Sequence, residues 1–185
     1  MQPVQPPILT SKLYLSGIKK SIKCNFCPKG YRLEYFSDDR KEHTLRFIKP
    51  NPLTGEPVTQ SNGSQSYIAD DCVAKFQYAV VEFDNKAISD QIAFWLSMID
   101  KEAHVAALIH SGRKSIHGWM HVNCENKQSW NEQVEKGLFT KLLEPLGADG
   151  ACKNESRSSR LPGITYPENN HIRSQKLLYL NPKRK

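Results

Sequence analysis

Two acidic residues stand two positions apart in the segment VVEFDN, as Glu82 and Asp84. Residues 76–84 are nearly continuous in apolar, β-branched and aromatic types, which predicts a central strand. Side chains two apart on a strand share a face, so both carboxylates would project together while Phe83 points away. Like charges this close repel unless a cation lies between them, and hard oxygen ligands suit Mg²⁺ or Mn²⁺. A strand end with solvated acids is the common alternative.

A second polar group lies in the segment SGRKSIHGWMHVN. Period-two alternation places Ser115, His117 and Trp119 on one face, while the intervening apolar residues turn toward the core. A hydroxyl and an imidazole beside Arg113 and Lys114 suit contacts to phosphate oxygens. An exposed strand that merely carries histidines is the competing interpretation. The Trp119 ring could equally stack on a base or pack under a loop.

A third acid, Asp149, follows in LGADGACKNESRSSRLPG, with Arg157 and Arg160 behind it. One interpretation is a surface loop with capping acids. The functional one is a further metal ligand, together with arginines that hold phosphates. The rigid turn at Pro162 and Gly163 would then fix the position of the neighbouring arginine.

The pair Cys24 and Cys27, in CNFC, has the spacing of half a zinc site. A second pair with matching spacing does not follow in the sequence. Two unliganded thiols are therefore the simpler interpretation, and zinc at Cys24/Cys27 is the alternative.

The elements that must position these residues follow the order strand, helix, strand, strand, helix, loop, strand over residues 66–185. This order predicts an α+β fold with an antiparallel sheet and helices packed on one face. Gly112 suits a tight turn between the second and third strands, and QKLLYLN predicts the closing strand. The segment between residues 148 and 170 is polar and rich in turn residues, which predicts a loop.

Both helices show amphipathic spacing. SDQIAFWLSMIDK predicts a helix with Ser89 as its N-cap, and KQSWNEQVEKGLFTKLLEPLG predicts a second that ends near Pro145 and Gly147. The predicted inward residues are Ile92, Trp95, Leu96 and Ile99 in the first helix and Trp130, Val134, Leu138 and Leu142 in the second.

Residues 1–65 form a smaller N-terminal α/β segment in this prediction. It comprises a Pro/Gln-rich arm, two short strands in YRLEYF and TLRFIK, and a loop or linker over residues 50–66. This segment either stands apart from residues 66–185 or belongs to the same catalytic unit.

Composition points to a globular protein with a polyanionic partner. Lys and Arg number 26 against 19 Asp and Glu, a net charge of +7. That excess favours nucleic acid, although weakly by itself. Five cysteines without a regular framework indicate reduced thiols in a cytoplasm. The sequence lacks an apolar run of membrane-spanning length and a start typical of a signal peptide, so a membrane partner is not expected.

The order of motifs resembles the archaeo-eukaryotic primase superfamily, the primase-polymerases. A pair of acids ends a strand at Glu82 and Asp84, Ser-x-His follows at Ser115 and His117, and a third acid comes at Asp149. The resemblance covers residues 76–182. Within it, the tail from SRSSRLPG to QKLLYLNP is similar to small replication primases of phages, plasmids and other mobile elements. Two departures stand out: the first acid is Glu where many members carry Asp, and Asp149 lies in a Gly-flanked segment and not on a strand.

The resemblance implies a catalytic core over residues 66–185 whose sheet resembles an RNA-recognition fold. It implies nucleotidyl transfer from NTPs or dNTPs along a single-stranded DNA template, with two Mg²⁺ or Mn²⁺ ions on Glu82, Asp84 and Asp149. Residues that would bind the nucleotide are Ser115, His117, Arg113, Lys114 and Arg160. A replicative helicase is a further implied partner, and a bacterial or phage-infected cytoplasm the implied compartment.

Two other function classes stay open. A non-enzymatic domain that binds single-stranded nucleic acid would explain the charge and the aromatic residues, but not the acids at a strand end. A two-metal nuclease would use similar acids. Template extension separates the classes, because a polymerase lengthens a strand, a nuclease shortens it and a binding domain does neither.

Overall fold

The computed structural model of the protein describes residues 22–23, 32–35, 45–101 and 103–181. Cys24 and Cys27 lie outside the described residues, so the zinc alternative stays a prediction. In chain order the strands are β1 Ile22–Lys23, β2 Arg32–Tyr35, β3 Leu45–Ile48, β4 Val58–Thr59, β5 Gln65–Ser66, β6 Phe76–Val81, β7 Val105–His110, β8 Ile116–Cys124, β9 Ser159–Arg160, β10 Thr165–Glu168, β11 His171–Ser174 and β12 Lys176–Leu180. The helices are α1 Ile88–Asp100 and α2 Lys127–Trp130, and α2 continues as a wider helical segment over Asn131–Leu143.

The central sheet has four strands in the order β12-β7-β8-β6, and every neighbouring pair is antiparallel. The strands β6 and β7, which flank α1 in the chain, lie on either side of β8. The α+β prediction is confirmed, and the strands and helices follow the predicted order except that β9, β10 and β11 lie between the second helix and β12. The RNA-recognition detail is not established by this strand order and stays a prediction.

Alternation along β8 sorts its side chains as predicted. Ile116 and Met120 lie in the hydrophobic core together with the buried side chains of both helices, such as Trp95 and Trp130. The helices therefore cover one face of the sheet. Gly118 lies on this face directly beneath the Trp95 ring, where a side chain would collide with the indole.

The first helix departs from its prediction in two ways. It begins at Ile88, one residue before Ser89, and its N-cap is Ala87. The buried positions are Gln91 and Trp95, whereas Ile92 and Leu96 are 43% and 56% exposed. Gln91 takes the place of an apolar residue on the inner face because its side-chain amide donates hydrogen bonds to backbone carbonyls of two loops.

The second helix buries a different set of residues than predicted. Trp130 and Val134 are buried as expected, but Phe139 and Leu143 follow, and Leu142 is 49% exposed. The segment closes its turns five residues back, as in the bond from the Glu144 amide to the Phe139 carbonyl. Because a wider turn contains more residues, the next core-facing residue comes later in the sequence. The predicted spacing of four residues therefore does not hold along the whole helix.

A second sheet joins the N-terminal strands to a late segment of the chain in the order β1-β2-β3-β9. The two strands predicted in YRLEYF and TLRFIK do pair, as β2 and β3. β3 also pairs with β9, which lies more than a hundred residues later. The indole Nε1 of Trp119 donates to Ser159 Oγ over 2.7 Å, which places β9 over the face of the central sheet opposite the helices.

Two predicted loops contain ordered structure. Within residues 50–66, β4 pairs with β5, and Asn51 is buried with its side chain bonded to the backbone of Tyr78 and Glu155. The late polar segment contains the hairpin β10–β11, whose turn residues Asn169 and Asn170 adopt positive φ. Asparagine tolerates this conformation better than most residues. Within the part of the chain that the structure describes, no helix has both the length and the apolar character to cross a membrane.

Candidate active site

A cleft of about 460 Å³ lies where β6 ends, the β7–β8 turn begins and the segment before β9 passes over both. Five cationic side chains and two acidic ones line it, so the lining carries a net charge of +3 when His117 is neutral. A cavity with this balance suits a polyanion. The charged lining residues are Lys49, Glu82, Asp84, Arg113, Lys114, Arg157 and Arg160. Ser115 and His117 also line it, whereas Asp149 stands behind Arg157.

Glu82 occupies the base of the cleft because pairing along β6 ends one residue earlier. The last register pair, Val81 with Gly118, brings Glu82 beside His117. The Glu82 carbonyl then accepts from the Asp149 amide over 2.9 Å instead of continuing the strand ladder. The strand therefore ends at Val81 and not at Asp84, as the sequence had predicted. The same hydrogen bond links two of the three predicted acids, Glu82 and Asp149.

The Glu82 carboxylate is buried and surrounded by polar partners. It accepts hydrogen bonds from the Arg157 guanidinium and, over 3.2 Å, from the Cys152 thiol. Burial alone would raise the pKa of Glu82, but His117 and Arg157 stabilise the charged form, and the pKa lies below its ordinary value. Since His117 is neutral at pH 7, Arg157 supplies the balancing charge there.

Asp149 lies next to Glu82 at the start of a short 3-10 turn. Its side chain accepts from the Ala151 amide over 3.0 Å, and its other oxygen lies 3.3 Å from Arg157 Nη2. Oxygen atoms of Glu82 and Asp149 and the Cys152 sulfur all lie within 4.8 Å of one another. These donors fit a divalent ion, with Arg157 supplying the positive charge between the acids in its absence.

Asp84 takes a separate position at the rim of the cleft. Its carboxylate lies 3.6 Å from Lys114 Nζ, and both side chains are about half exposed, at 47% and 62%. It does not belong to the compact cluster of Glu82, Asp149 and Cys152. The three predicted acids thus line one region, but they do not converge on one point.

Ser115 and His117 lie at the start of β8, where His117 adjoins Glu82. The turn before them closes through the bond from the Ser111 amide to the Ser115 carbonyl, and Gly112 has a φ of +84°. His117 is only 3% exposed, and neither ring nitrogen has an aligned hydrogen-bond partner among the described residues, although Nε2 lies 3.1 Å from a Glu82 oxygen. Burial lowers the pKa of His117 to about 4, in spite of the nearby Glu82, so the ring is neutral at pH 7.

The remaining predicted cations differ in their partners. Arg113 is half exposed and pairs with Glu168 of β10 over 3.2 Å. The Arg160 guanidinium lies 4.5 Å from the centre of the Phe47 ring, and its Nε has no hydrogen-bond partner. The Trp119 indole is held by Ser159, which favours packing under β9 over base stacking.

Three residues of the site have no counterpart in the sequence predictions: Lys49, Gln91 and Cys152. Arg157 is one of the two loop arginines that the sequence predicts to hold phosphates. Gln91 is buried, and its amide donates to the carbonyls of Phe83 and Lys114, on the two loops that carry the acids and the cations. A short sequence pattern does not identify Gln91, because its burial depends on the fold.

Comparisons with protein-family models, with curated proteins and with solved structures give no match to this chain. The site is therefore interpreted from its own geometry.

Proposed function

We propose that the protein is a template-dependent nucleotidyltransferase, a DNA primase or primase-polymerase of a phage or other mobile element. One observation carries this proposal: five cations and two carboxylates line the same cleft, and one of these carboxylates, Glu82, belongs to a cluster of donors that could hold a metal ion. A nucleoside triphosphate with its metal ions requires this combination, because metals neutralise only part of its charge.

The acids would have separate tasks. Glu82 and Asp149 would hold one ion at the base of the cleft, and the half-exposed Asp84 at the rim would contribute to a second. Bound Mg²⁺ or Mn²⁺ would activate the attacking 3′-hydroxyl and stabilise the leaving pyrophosphate. Arg157, now bonded to the buried Glu82 and the partly exposed Asp149, would exchange those contacts for the nucleotide phosphates.

The cations and polar side chains that line the cleft would bind the triphosphate. Lys114 and Arg113 stand at the open side, where phosphate oxygens can reach them, and Arg160 adds a guanidinium from β9. Neutral His117 carries one N–H that can donate to a phosphate oxygen without the cost of burying a charged ring. Ser115 supplies a hydroxyl beside it.

The remaining implications belong to this proposal as well. The template would be single-stranded DNA bound through its phosphates, so binding should weaken with salt. Either NTPs or dNTPs would serve, a replicative helicase would act beside the protein, and the compartment would be the cytoplasm of a bacterial or phage-infected cell. The core formed by β6, α1, β7, β8, the second helix and β12 would be a variant of the RNA-recognition type of fold.

The test is a primer-extension and priming assay with NTPs or dNTPs and either Mg²⁺ or Mn²⁺. We expect elongated products from the wild type and none from Glu82→Gln or Asp84→Asn, with folding verified by thermal melting. The control Asp90→Asn removes an exposed acid of α1 away from the cleft and should extend normally. Shortened strands would indicate a nuclease, and binding without metal-dependent nucleotide affinity would indicate a binding domain. Either outcome would overturn the proposal.

A further inference from the structure

Cys152 has no task in the proposed reaction, yet it lies among the acids. Its side chain is fully buried, and its sulfur lies 3.2 Å from one Glu82 oxygen and 3.9 Å from an Asp149 oxygen. Mg²⁺ is a hard ion and takes oxygen ligands, so a thiol adds nothing to its binding. Thiolate sulfur is a preferred ligand of Zn²⁺ and of similar soft ions.

A second and independent feature points to the same kind of ion. His117 is 3% exposed and lines the cleft, and within the part of the chain that the structure describes neither of its ring nitrogens has an aligned hydrogen-bond partner. Its Nε2 lies 3.1 Å from the second Glu82 oxygen. Buried polar groups are nearly always paired, so this imidazole, which faces a carboxylate, is available to bind a further ligand. Neutral imidazole is also the form that binds metal.

Three of these donors already lie close enough for one shared ion. Ligands about 2.1 Å from a tetrahedral ion lie roughly 3.4 Å from each other. The donor atoms of Glu82, Asp149 and Cys152 lie within 4.8 Å of one another, and His117 approaches this cluster at Glu82, over 3.1 Å. Binding by all four residues therefore requires His117 to move toward the other three and Arg157, whose charge the ion would replace, to withdraw.

We propose that Glu82, His117, Asp149 and Cys152 form a site for a thiophilic divalent ion such as Zn²⁺ or Cd²⁺. On binding, the Cys152 thiol releases its proton to solvent and a sulfur–metal bond forms, while Arg157 leaves the acids. A bound ion of this kind occupies Glu82 and His117 and so blocks the cleft. The predicted inhibition by the bound ion rests on the proposed function, but the binding of the ion does not.

The binding test is a Cd²⁺ titration of the full chain, followed by the ultraviolet charge-transfer absorbance of cadmium thiolates. Cys24→Ser and Cys27→Ser are introduced first, because that pair has metal-binding spacing of its own. In this background we expect one cadmium with a thiolate band. Cys152→Ser should lose the band and weaken binding at least tenfold, whereas the control Cys124→Ser, another buried thiol, should retain both. An unchanged titration for Cys152→Ser would overturn the site.

A second measurement covers the case in which Cys152→Ser does not fold. X-ray absorption of the zinc-loaded background protein should show one sulfur and otherwise nitrogen and oxygen ligands. A coordination shell without sulfur would contradict the site. His117→Gln should weaken Cd²⁺ binding and keep the thiolate band, and unchanged affinity in this variant would remove His117 from the ligand set.

Inhibition is measured separately in the extension assay with excess Mg²⁺. We expect Cd²⁺ to inhibit the background protein, and the inhibitory concentration to rise at least tenfold for Cys152→Ser, with each variant scaled to its own uninhibited rate. Equal inhibition of the two proteins by Cd²⁺ would refute the prediction that an ion bound at Cys152 blocks the cleft. A protein without any extension activity would refute the proposed function, and the titration would still decide the metal site.

Discussion

The side-chain amide of Gln91 donates a hydrogen bond of 2.8 Å to the carbonyl of Lys114, and thereby ties α1 to the turn that carries the cations. The same nitrogen lies 3.0 Å from the carbonyl of Phe83, next to the acids. The Gln91 oxygen accepts from the Ile116 amide over 2.8 Å. One buried side chain thus fixes the two walls of the cleft relative to each other.

Gln91→Leu should destabilise the protein markedly. The variant keeps the volume but leaves buried backbone groups of both loops without partners, and each such group costs about 1–3 kcal/mol. We expect the free energy of unfolding to fall by about 2–4 kcal/mol in urea titrations. The control Gln128→Leu, on the exposed side of α2, should stay within about 0.5 kcal/mol of the wild type. Equal effects would show that Gln91 does not hold the loops.

Gly118→Ala should also destabilise the protein, through collision. An added Cβ would lie 2.1 Å from the nearest atom of the fully buried Trp95 ring. Neither the strand nor the indole can move far, so we expect a loss of about 3 kcal/mol by thermal or urea unfolding. Combining it with Trp95→Leu should recover at least about 1 kcal/mol relative to the sum of the single changes. Additive losses would place the strain elsewhere.

Patterns of local spacing predicted the central sheet well. Alternation assigned the core side of Ile116 and Met120 in β8, and apolar content identified β6, because a strand repeats every two residues whatever surrounds it. Spacing predicted the helices less well. In the first helix Trp95 and Ile99 face the core as predicted, but Gln91 replaces Ile92 and Leu96 there because its amide has buried partners. In the second helix the wide turns after Trp130 shift the inward positions to Phe139 and Leu143.

The residues of the candidate site also divide into those that local patterns predict and those that only the fold brings together. Glu82, Ser115 and His117 were identified because strand ends and alternation are local features. Lys49 was not, since it reaches the cleft through a bond to the Ser156 carbonyl, 107 residues away in the chain. Cys152 follows no motif, and only the fold brings it to Glu82. Contacts at such separations depend on the whole topology, which one sequence does not encode in any short pattern.

Arg157→Gln should change how a divalent ion affects stability. In EDTA the variant leaves Glu82 and Asp149 without their shared cation, and because Arg157 is partly exposed we expect a loss of about 1–3 kcal/mol. An ion no longer has to displace the guanidinium. Saturating Mn²⁺ should therefore stabilise the variant more than the wild type, by at least about 1.4 kcal/mol in melting experiments, which corresponds to tenfold tighter binding.

The matched control for that experiment is Arg173→Gln, which removes a similarly exposed arginine paired with Glu168, away from the acids. Its response to Mn²⁺ should equal that of the wild type. If Mn²⁺ stabilised Arg157→Gln and the wild type equally, Arg157 would not compete with an ion for Glu82 and Asp149.

Acid should destabilise the metal-free protein through His117. Its pKa is about 4 in the fold and 6.5 as its ordinary value, so the unfolded chain binds a proton more readily than the folded protein. The stability due to the neutral ring is present above pH 6.5 and is lost as the pH falls toward 4. The loss should approach about 3 kcal/mol, because each pKa unit corresponds to about 1.4 kcal/mol.

The measurement is urea unfolding in EDTA at several pH values between 7 and 4. His117→Gln cannot take up this proton, so its free energy of unfolding should fall less steeply than that of the wild type over the same interval. The exposed His171→Gln should keep the wild-type slope. Glu82, whose pKa is lowered in the fold, adds a further loss below its ordinary value of 4.5, and this loss is smaller in His117→Gln, which lacks one of the groups that lower the Glu82 pKa. Parallel curves for His117→Gln and the wild type would mean that His117 has the same pKa in the folded protein as in the unfolded chain, so that burial does not disfavour its charged form.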